Sequence, residues 1–184
     1  MIDKDKQERQ DKYMYIHYIE DMDYIYIQPV KSHDIAKVVE LERLCFPIPW
    51  SEESFRIEVE QNRFARYLVV KYKREVIGYG GIWLILGEAH ITNIAIHPNY
   101  RRRGIGRELL LSLMEVAIEF GAEKMTLEVR KSNKGAQALY EQLDFTRGGL
   151  RRGYYADTGE DAIIMWNDDI RDTIEKHRRN GCGA

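Results

Sequence analysis

The sequence predicts a single layered α/β domain, a mixed set of strands flanked by helices, and three observations carry that prediction. Three consecutive runs of β-formers, 66–72, 75–86 and 89–97, are separated by turns short enough for hairpins. The third run passes through a loop rich in Arg and Gly into the clearest amphipathic helix of the chain. Beyond that helix, strand and helix patterns alternate, so sheet and helices share one core.

The elements follow in order. Residues 1–12 carry four acids (Asp3, Asp5, Glu8, Asp11) and four bases (Lys4, Lys6, Arg9, Lys12) with almost nothing apolar, and read as a frayed extension. Tyr13, Tyr15 and Tyr18 make residues 13–23 aromatic enough to pack somewhere; the extension is placed at 1–23. Residues 24–28 alternate as a first strand that Pro29 closes. Ser32 can cap a helix in which Ile35, Val38, Val39, Glu42 and Cys45 fall at helical spacing, ended by Pro47 and Pro49. Ser51 with Glu52, Glu53 and Ser54 opens a second helix to Gln61. Lys73-Arg74 and Gly87-Glu88 are the hairpin turns. Ile105, Leu109, Leu113, Ala117 and Phe120 form the stripe of the long helix, and Gly121 its C-cap. Residues 125–130 alternate as a strand, 133–143 form a helix, and 145–151 and 162–166 are the closing strands. The domain is placed at 24–166 and a charged, helical tail at 167–184.

Composition narrows the function classes. At 184 residues the chain is about one domain long by the usual prior of roughly 100–200 residues. Lys plus Arg is 28 against 30 Asp plus Glu, a net charge of −2, which argues against a general nucleic-acid binder. An apolar share of 44% argues against a disordered acidic chain. Cys45 and Cys182 cannot build a disulfide framework and read as free thiols in a reducing cytosol. No apolar run approaches the roughly 18 residues of a membrane span, and the charged start lacks a signal-peptide core. The expectation is a cytoplasmic protein with no membrane, nucleic-acid or metal partner.

Chemistry concentrates in one stretch. Ile94, Ala95 and Ile96 run as a strand into Arg101, Arg102, Arg103, Gly104, Ile105, Gly106 and Arg107 at the start of the long helix. A helix N-terminus offers unpaired N–H groups and partial positive charge, and glycine lets a phosphate approach the backbone. Four arginines within this loop suit it to cradle a pyrophosphate, a solvated basic turn being the alternative. A Rossmann fingerprint fails, because Leu109 stands where a third glycine belongs; a Walker loop fails for want of Gly-Lys-Ser/Thr.

Arg101-Arg102-Arg103-Gly104-Ile105-Gly106 resembles the Q/R-x-x-G-x-G/A acetyl-CoA motif of the GNAT superfamily of N-acetyltransferases. Leu127-Glu128-Val129-Arg130, Ser132-Asn133, Ala138-Leu139-Tyr140-Glu141, Gly153-Tyr154-Tyr155 and Gly159-Glu160-Asp161-Ala162 resemble its branch that acetylates protein N-termini. That branch includes the bacterial ribosomal-protein-alanine acetyltransferases and the archaeal N-terminal acetyltransferases; the ending resembles the archaeal members most. The resemblance implies a GNAT fold: a central mixed, mostly antiparallel sheet, splayed between its fourth and fifth strands and flanked by about four helices. It implies acetyl-CoA as co-substrate, and peptide or protein N-termini as partners, whether nascent chains or ribosomal proteins. It implies that Ile94, Ala95 and Ile96 face the pantetheine arm, that the loop around Arg101, Arg102, Arg103, Gly104, Ile105, Gly106 and Arg107 holds the pyrophosphate, and that Asn133 touches the cofactor.

On the strand 125–130, Thr126, Glu128 and Arg130 point away from the face of Leu127 and Val129. The residues alone make Glu128 an exposed carboxylate paired with a Lys or Arg; the resemblance makes it a general base acting through a water. His90 reads alone as a polar residue near a strand end; in the archaeal members a His at the matching position shares that water. Such a relay suits an α-amine with a pKa of about 7.7–8.0 better than a lysine at about 10.4. Tyr140 reads alone as core, and by resemblance it protonates the departing thiolate and borders the cofactor. Phe46, Pro47, Ile48 and Trp50 resemble the peptide-binding loop of this branch, and Tyr154 and Tyr155 its other wall; ordinary packing is the alternative for each. Competing readings are a lysine or small-amine acetyltransferase on the same fold, a non-catalytic acyl-CoA sensor, and nucleic-acid binding through the arginines. A monomer or weak homodimer is expected. Asp144, standing where the family has Gly before Phe145, implies a cost in stability rather than in function.

Overall fold

The computed structural model describes residues 14–20 and 22–179; the extension at 1–12, Tyr13 and Cys182 lie outside the described residues. Among the described residues there are eight strands, forming one open mixed sheet in the order β1-β2-β3-β4-β5-β6-β8-β7, and five α-helices. The strands are β1 Tyr15–Ile19, β2 Asp23–Pro29, β3 Ala65–Tyr72, β4 Glu75–Ile85, β5 Glu88–Ile96, β6 Lys124–Arg130, β7 Thr146–Tyr155 and β8 Glu160–Asn167. The helices are α1 Ile35–Cys45, α2 Glu52–Arg56, α3 Ile105–Glu119, α4 Lys134–Gln142 and α5 Ile170–Arg179. The expected α/β architecture is present. None of the described helices is long and apolar enough to cross a membrane.

The chain divides into two compact units. The first takes in the described residues up to Gly81 together with Asn93–Leu113. It opens with a strand the sequence reading did not contain. Residues 15–19, read as extension, form β1 and pair antiparallel with β2, Tyr15 opposite Ile27 and Ile19 opposite Asp23. Alternation explains β2: Ile25 and Ile27 are buried while Tyr24 and Tyr26 are exposed. Ser32 does not cap α1. A single 3-10 turn, Ser32–Asp34, precedes that helix; Asp34 stands at the N-cap without a side-chain cap bond, its buried carboxylate instead accepting from the Lys31 N–H at 3.1 Å and meeting Lys71 Nζ at 2.6 Å. Ser51 caps α2 as expected, its Oγ accepting from Ser54 N–H at 3.1 Å. The helix then widens into a π turn, Ile57–Gln61. Val38, Val39, Leu41, Phe55, Tyr67 and Tyr79 form the heart of this unit's core.

The hairpin turns show one slip. Lys73 and Arg74 both take positive φ, as a tight hairpin turn requires. The next such pair is Leu86 and Gly87 rather than Gly87 and Glu88, so β5 begins at Glu88. Gly87 supplies the second left-handed position instead of the first.

The second unit comprises Ile82–Thr92 and the described residues from Met114 onward. β5 runs parallel to β6 only over 88–90 against 124–126, ending at His90 opposite Thr126, while β6 continues to Arg130. These are the fourth and fifth strands of the sequence reading, and the short ladder is where the sheet opens. β6 pairs fully with β8, Glu128 opposite Ile164 and Thr126 opposite Trp166. β7 pairs with β8 through two irregularities. Gly148 sits at the first because an added Cβ would stand 2.5 Å from the Trp166 ring.

Asp144 has φ +61, the left-handed conformation its position implies. Its carboxylate does something glycine could not: it accepts from Thr173 Oγ1 at 3.1 Å and Lys176 Nζ at 3.3 Å, tying down α5. The buried Asn167 amide donates to Leu143 O and Thr173 Oγ1, both at 2.8 Å. The tail helix therefore docks through Ile170, Thr173 and Ile174, all buried.

Candidate active site

In the first unit, β5 delivers Ile94, Ala95 and Ile96 to a short turn, Pro98–Tyr100, and on to the arginine loop. Arg102 and Gly104 take φ of +65 and +79. Those conformations let the chain reverse into α3, whose first N–H groups, at Ile105 and Gly106, have no intrahelical acceptor. A Cβ added at Gly104 would meet no atom within 4 Å, so the crest of the loop is open. An open glycine crest, a helix start and exposed Arg102 and Arg103 fit a pyrophosphate.

The other two arginines are engaged. Arg101 Nε donates to Ile96 O at 2.9 Å and Nη2 meets Cys45 Sγ at 3.4 Å, so Arg101 braces the end of β5. Arg107 pairs with its neighbour Glu108, whose other oxygen lies 3.0 Å from His17 Nδ1 on β1. Burial pushes the Glu108 carboxyl up, but His17 and Arg107 outweigh it and hold it below the ordinary range. His17 was invisible to sequence reasoning because its strand was.

In the second unit, Glu128 leaves β6 on the face opposite Leu127 and Val129, as alternation predicts. Its Oε1 lies 3.1 Å from Arg151 Nη1 on β7. Tyr155, at the far end of β7, donates from its hydroxyl to the Glu128 carbonyl oxygen at 3.5 Å. The Arg130 guanidinium covers the Tyr155 ring at 3.9 Å. Arg130 is fixed by Asp157 at 2.7 Å and Thr158 at 3.0 Å. Burial raises the Tyr155 hydroxyl to about 12, against the opposing pull of Arg130. Tyr154 is exposed and stands perpendicular to Tyr155 at 5.1 Å, with Arg151 over its ring at 5.5 Å.

His90 is the register partner of Thr126, two residues before Glu128. His90 and Glu128 thus lie on one face of the paired strands. His90 Nε2 itself lies 3.5 Å from Glu88, and its ring packs edge-on to Trp166 at 6.4 Å. Tyr140 is buried on α4 with its ring 5.7 Å from Phe145. Burial, with a smaller push from Tyr155, raises its hydroxyl well above the ordinary range, so it keeps its proton at neutral pH. Asn133 is exposed and caps α4, its Oδ1 accepting from Ala136 N–H at 3.1 Å.

The 46–50 loop belongs to the first unit. Phe46 and Trp50 pack against that unit's core, Trp50 on Phe55 at 5.5 Å, while Pro47 and Ile48 are exposed. Cys45 is half-buried, and burial pushes its thiol up, against Arg101, which makes it a poor nucleophile. Sequence reasoning missed Arg151, Trp166 and Glu88, whose roles come from strand register. The one signal available was the Arg-Arg-Gly-Tyr-Tyr run at 151–155, of which only the tyrosines were singled out.

Comparison with known proteins supplies the family. The family model for GNAT acetyltransferases matches residues 35–145. The chain is 43% identical over 140 residues to a putative ribosomal protein bS18-alanine N-acetyltransferase of Bacillus subtilis, covering 76% of this chain and 93% of that one. It is 36% identical over 143 residues to the bS18-alanine N-acetyltransferase of Escherichia coli, covering 76% and 94%. The crystal structure of the Escherichia coli ribosomal-protein-S18-alanine N-acetyltransferase superposes with a TM-score of 0.71 at 34% identity, over 77% of this chain and 92% of that one. Ard1 from Thermoplasma volcanium superposes at 0.69 with 22% identity, over 78% and 96%, a likeness of fold. The chain belongs to the GNAT family and is an acetyltransferase, of the family whose enzymes take the acetyl group from acetyl-CoA.

Proposed function

We propose that this protein acetylates the α-amino group of a protein N-terminus that begins with alanine, as ribosomal protein bS18 does in the relatives' names. The observation that carries this reading is coverage at high identity: the chain spans 93% and 94% of two relatives so named. Acetyl-CoA supplies the acetyl group as an activated thioester. Ile94, Ala95 and Ile96 line its arm, Gly104, Ile105 and Gly106 meet the pyrophosphate through backbone N–H groups, and Arg102, Arg103 and Arg107 add charge, with Arg101 bracing the strand behind them. Asn133 borders the cofactor through the amide nitrogen its capping role leaves over.

Glu128 accepts a proton from the substrate ammonium through a water that His90 helps to hold. Tyr140 keeps its hydroxyl proton at neutral pH and donates it to the leaving sulfur. Phe46, Pro47, Ile48 and Trp50 contact the first substrate residues, and Tyr154 and Tyr155 bond the peptide backbone. A ribosomal-protein or nascent-chain substrate fits a cytoplasmic enzyme.

The test uses a peptide with N-terminal alanine and an internal lysine, offered with its terminus free or formylated. Acetylation of the free form alone supports the reading. Equal acetylation of both forms places the acetyl group on lysine and overturns it.

A further inference from the structure

The loop at 46–50 has three N–H groups, at Phe46, Ile48 and Trp50, because Pro47 and Pro49 have none. Two of the three donate to a single residue. Glu42 O accepts from Phe46 N–H at 2.9 Å, and Glu42 Oε1 accepts from Trp50 N–H at 3.1 Å. The other carboxylate oxygen accepts from the Tyr79 hydroxyl. Glu42 is 1% exposed, and Tyr79 packs edge-on against Phe55, which in turn carries the Trp50 ring.

A buried carboxylate is costly, and an apolar residue of similar volume in its place is often as stable or more so. Glu42 offsets that cost by accepting from two donors, the buried Tyr79 hydroxyl and the Trp50 N–H, which an apolar side chain at 42 alone would leave unpaired. The Phe46 bond is the ordinary closing bond of α1, made whatever residue stands at 42, but the side-chain bond to Trp50 N–H fixes the far end of a proline-interrupted loop. That leaves exposed Ile48 and Pro47 on a rigid turn instead of a floppy one. Burial raises the Glu42 carboxyl, while the bonds from Tyr79 and Trp50 pull the other way.

We infer that Glu42 is the positioning residue of the peptide-binding loop, its carboxylate fixing Trp50 so that peptide affinity depends on a side chain that never touches peptide. The inference rests on the reading of 46–50 as the peptide loop. A preordered loop binds without the entropy cost of ordering it, so the effect falls on peptide affinity.

The test compares Glu42→Leu, which keeps volume but frees the Trp50 N–H, with Glu42→Gln, which keeps an acceptor. For Glu42→Leu the peptide KM rises about tenfold while the acetyl-CoA KM stays within about twofold, with a lower melting temperature because the Tyr79 hydroxyl and Trp50 N–H lose their acceptor; Glu42→Gln retains a peptide KM within about threefold. Phe46→Ala is measured alongside. If Phe46→Ala raises the peptide KM and Glu42→Leu does not, the inference is overturned. If neither does, the loop reading itself has failed, and the inference with it. A matched rise in both KM values with a lower kcat in Glu42→Leu also overturns it, since that marks a general structural role. Should Glu42→Leu not fold, amide exchange of Trp50 in the unmodified protein decides: protection supports the anchor, and exchange at an open-loop rate overturns it.

Discussion

Arg151 Nη1 stands 3.1 Å from Glu128 Oε1, so the carboxylate assigned as general base is ion-paired before any substrate arrives. Arg151 is half-exposed, whereas Arg130 on the same face is committed to Asp157, Thr158 and Glu160. Arg151 can thus orient Glu128 and still yield when substrate enters. The ordinary expectation for a strand carboxylate, a basic partner, is met at Glu128, the residue proposed as the base. Arg151→Gln is expected to lower kcat/KM for peptide about fivefold, ~1 kcal/mol after allowance for solvent screening, with Arg151→Lys losing less. Steady-state kinetics on an alanine-terminated peptide checks it.

Tyr140→Phe removes one oxygen from a buried site that already packs on Phe145. The expected outcome is a fall of about a hundredfold in kcat, the usual scale of a general acid, with the acetyl-CoA KM and melting temperature little changed. A melting temperature lowered in step with kcat would instead mark Tyr140 as core alone.

Asp144 holds a left-handed backbone and at the same time anchors α5. Asp144→Gly relieves the backbone but loses the anchor, and the two effects of ~1 kcal/mol each nearly cancel. Asp144→Ala keeps the strain and loses the anchor, so it costs about 1 kcal/mol. Denaturant unfolding of the pair separates the two contributions.

The acid limb of stability is expected to depend on the clasp around Arg130. The Arg130 guanidinium beside Asp157 holds that carboxyl below its ordinary 3.8. The Ser132 side chain and N–H, ahead of Arg130, hold Glu160 below 4.5. Groups with a depressed folded pKa contribute stability above the unfolded value and lose it as pH falls through the folded value. Melting temperature should therefore drop as pH falls below about 4, and Arg130→Met should flatten that dependence. An equally steep acid limb in Arg130→Met would contradict the assignment.

Much of this was legible in the chain. Hairpin spacing, the stripe of α3 and the Arg-Gly loop are local patterns, and local patterns survive folding. β1 was not legible, because its five residues follow a charged run and gain their strand character only by pairing with β2. Ser32 does not cap α1 because a 3-10 turn, Ser32–Asp34, intervenes and moves the helix start two residues on, to Asp34 at the N-cap. Arg151, Trp166 and Glu42 act across strands or through burial, which spacing along the chain does not encode. Glu128, His90 and Tyr140 came from family resemblance, and the His90 assignment leans on archaeal members, whereas the bacterial relatives show the higher identity.

The central claim is α-amine acetylation with Glu128 as base. Its most direct measurement is mass-spectrometric acetylation of a peptide library varied at positions one and two, with Glu128→Gln run alongside. The account predicts acetyl groups on the α-amine, a preference for alanine first, and a rate at least about a hundredfold lower in Glu128→Gln. Acetylation confined to internal lysines, or an unchanged rate in Glu128→Gln, would contradict it.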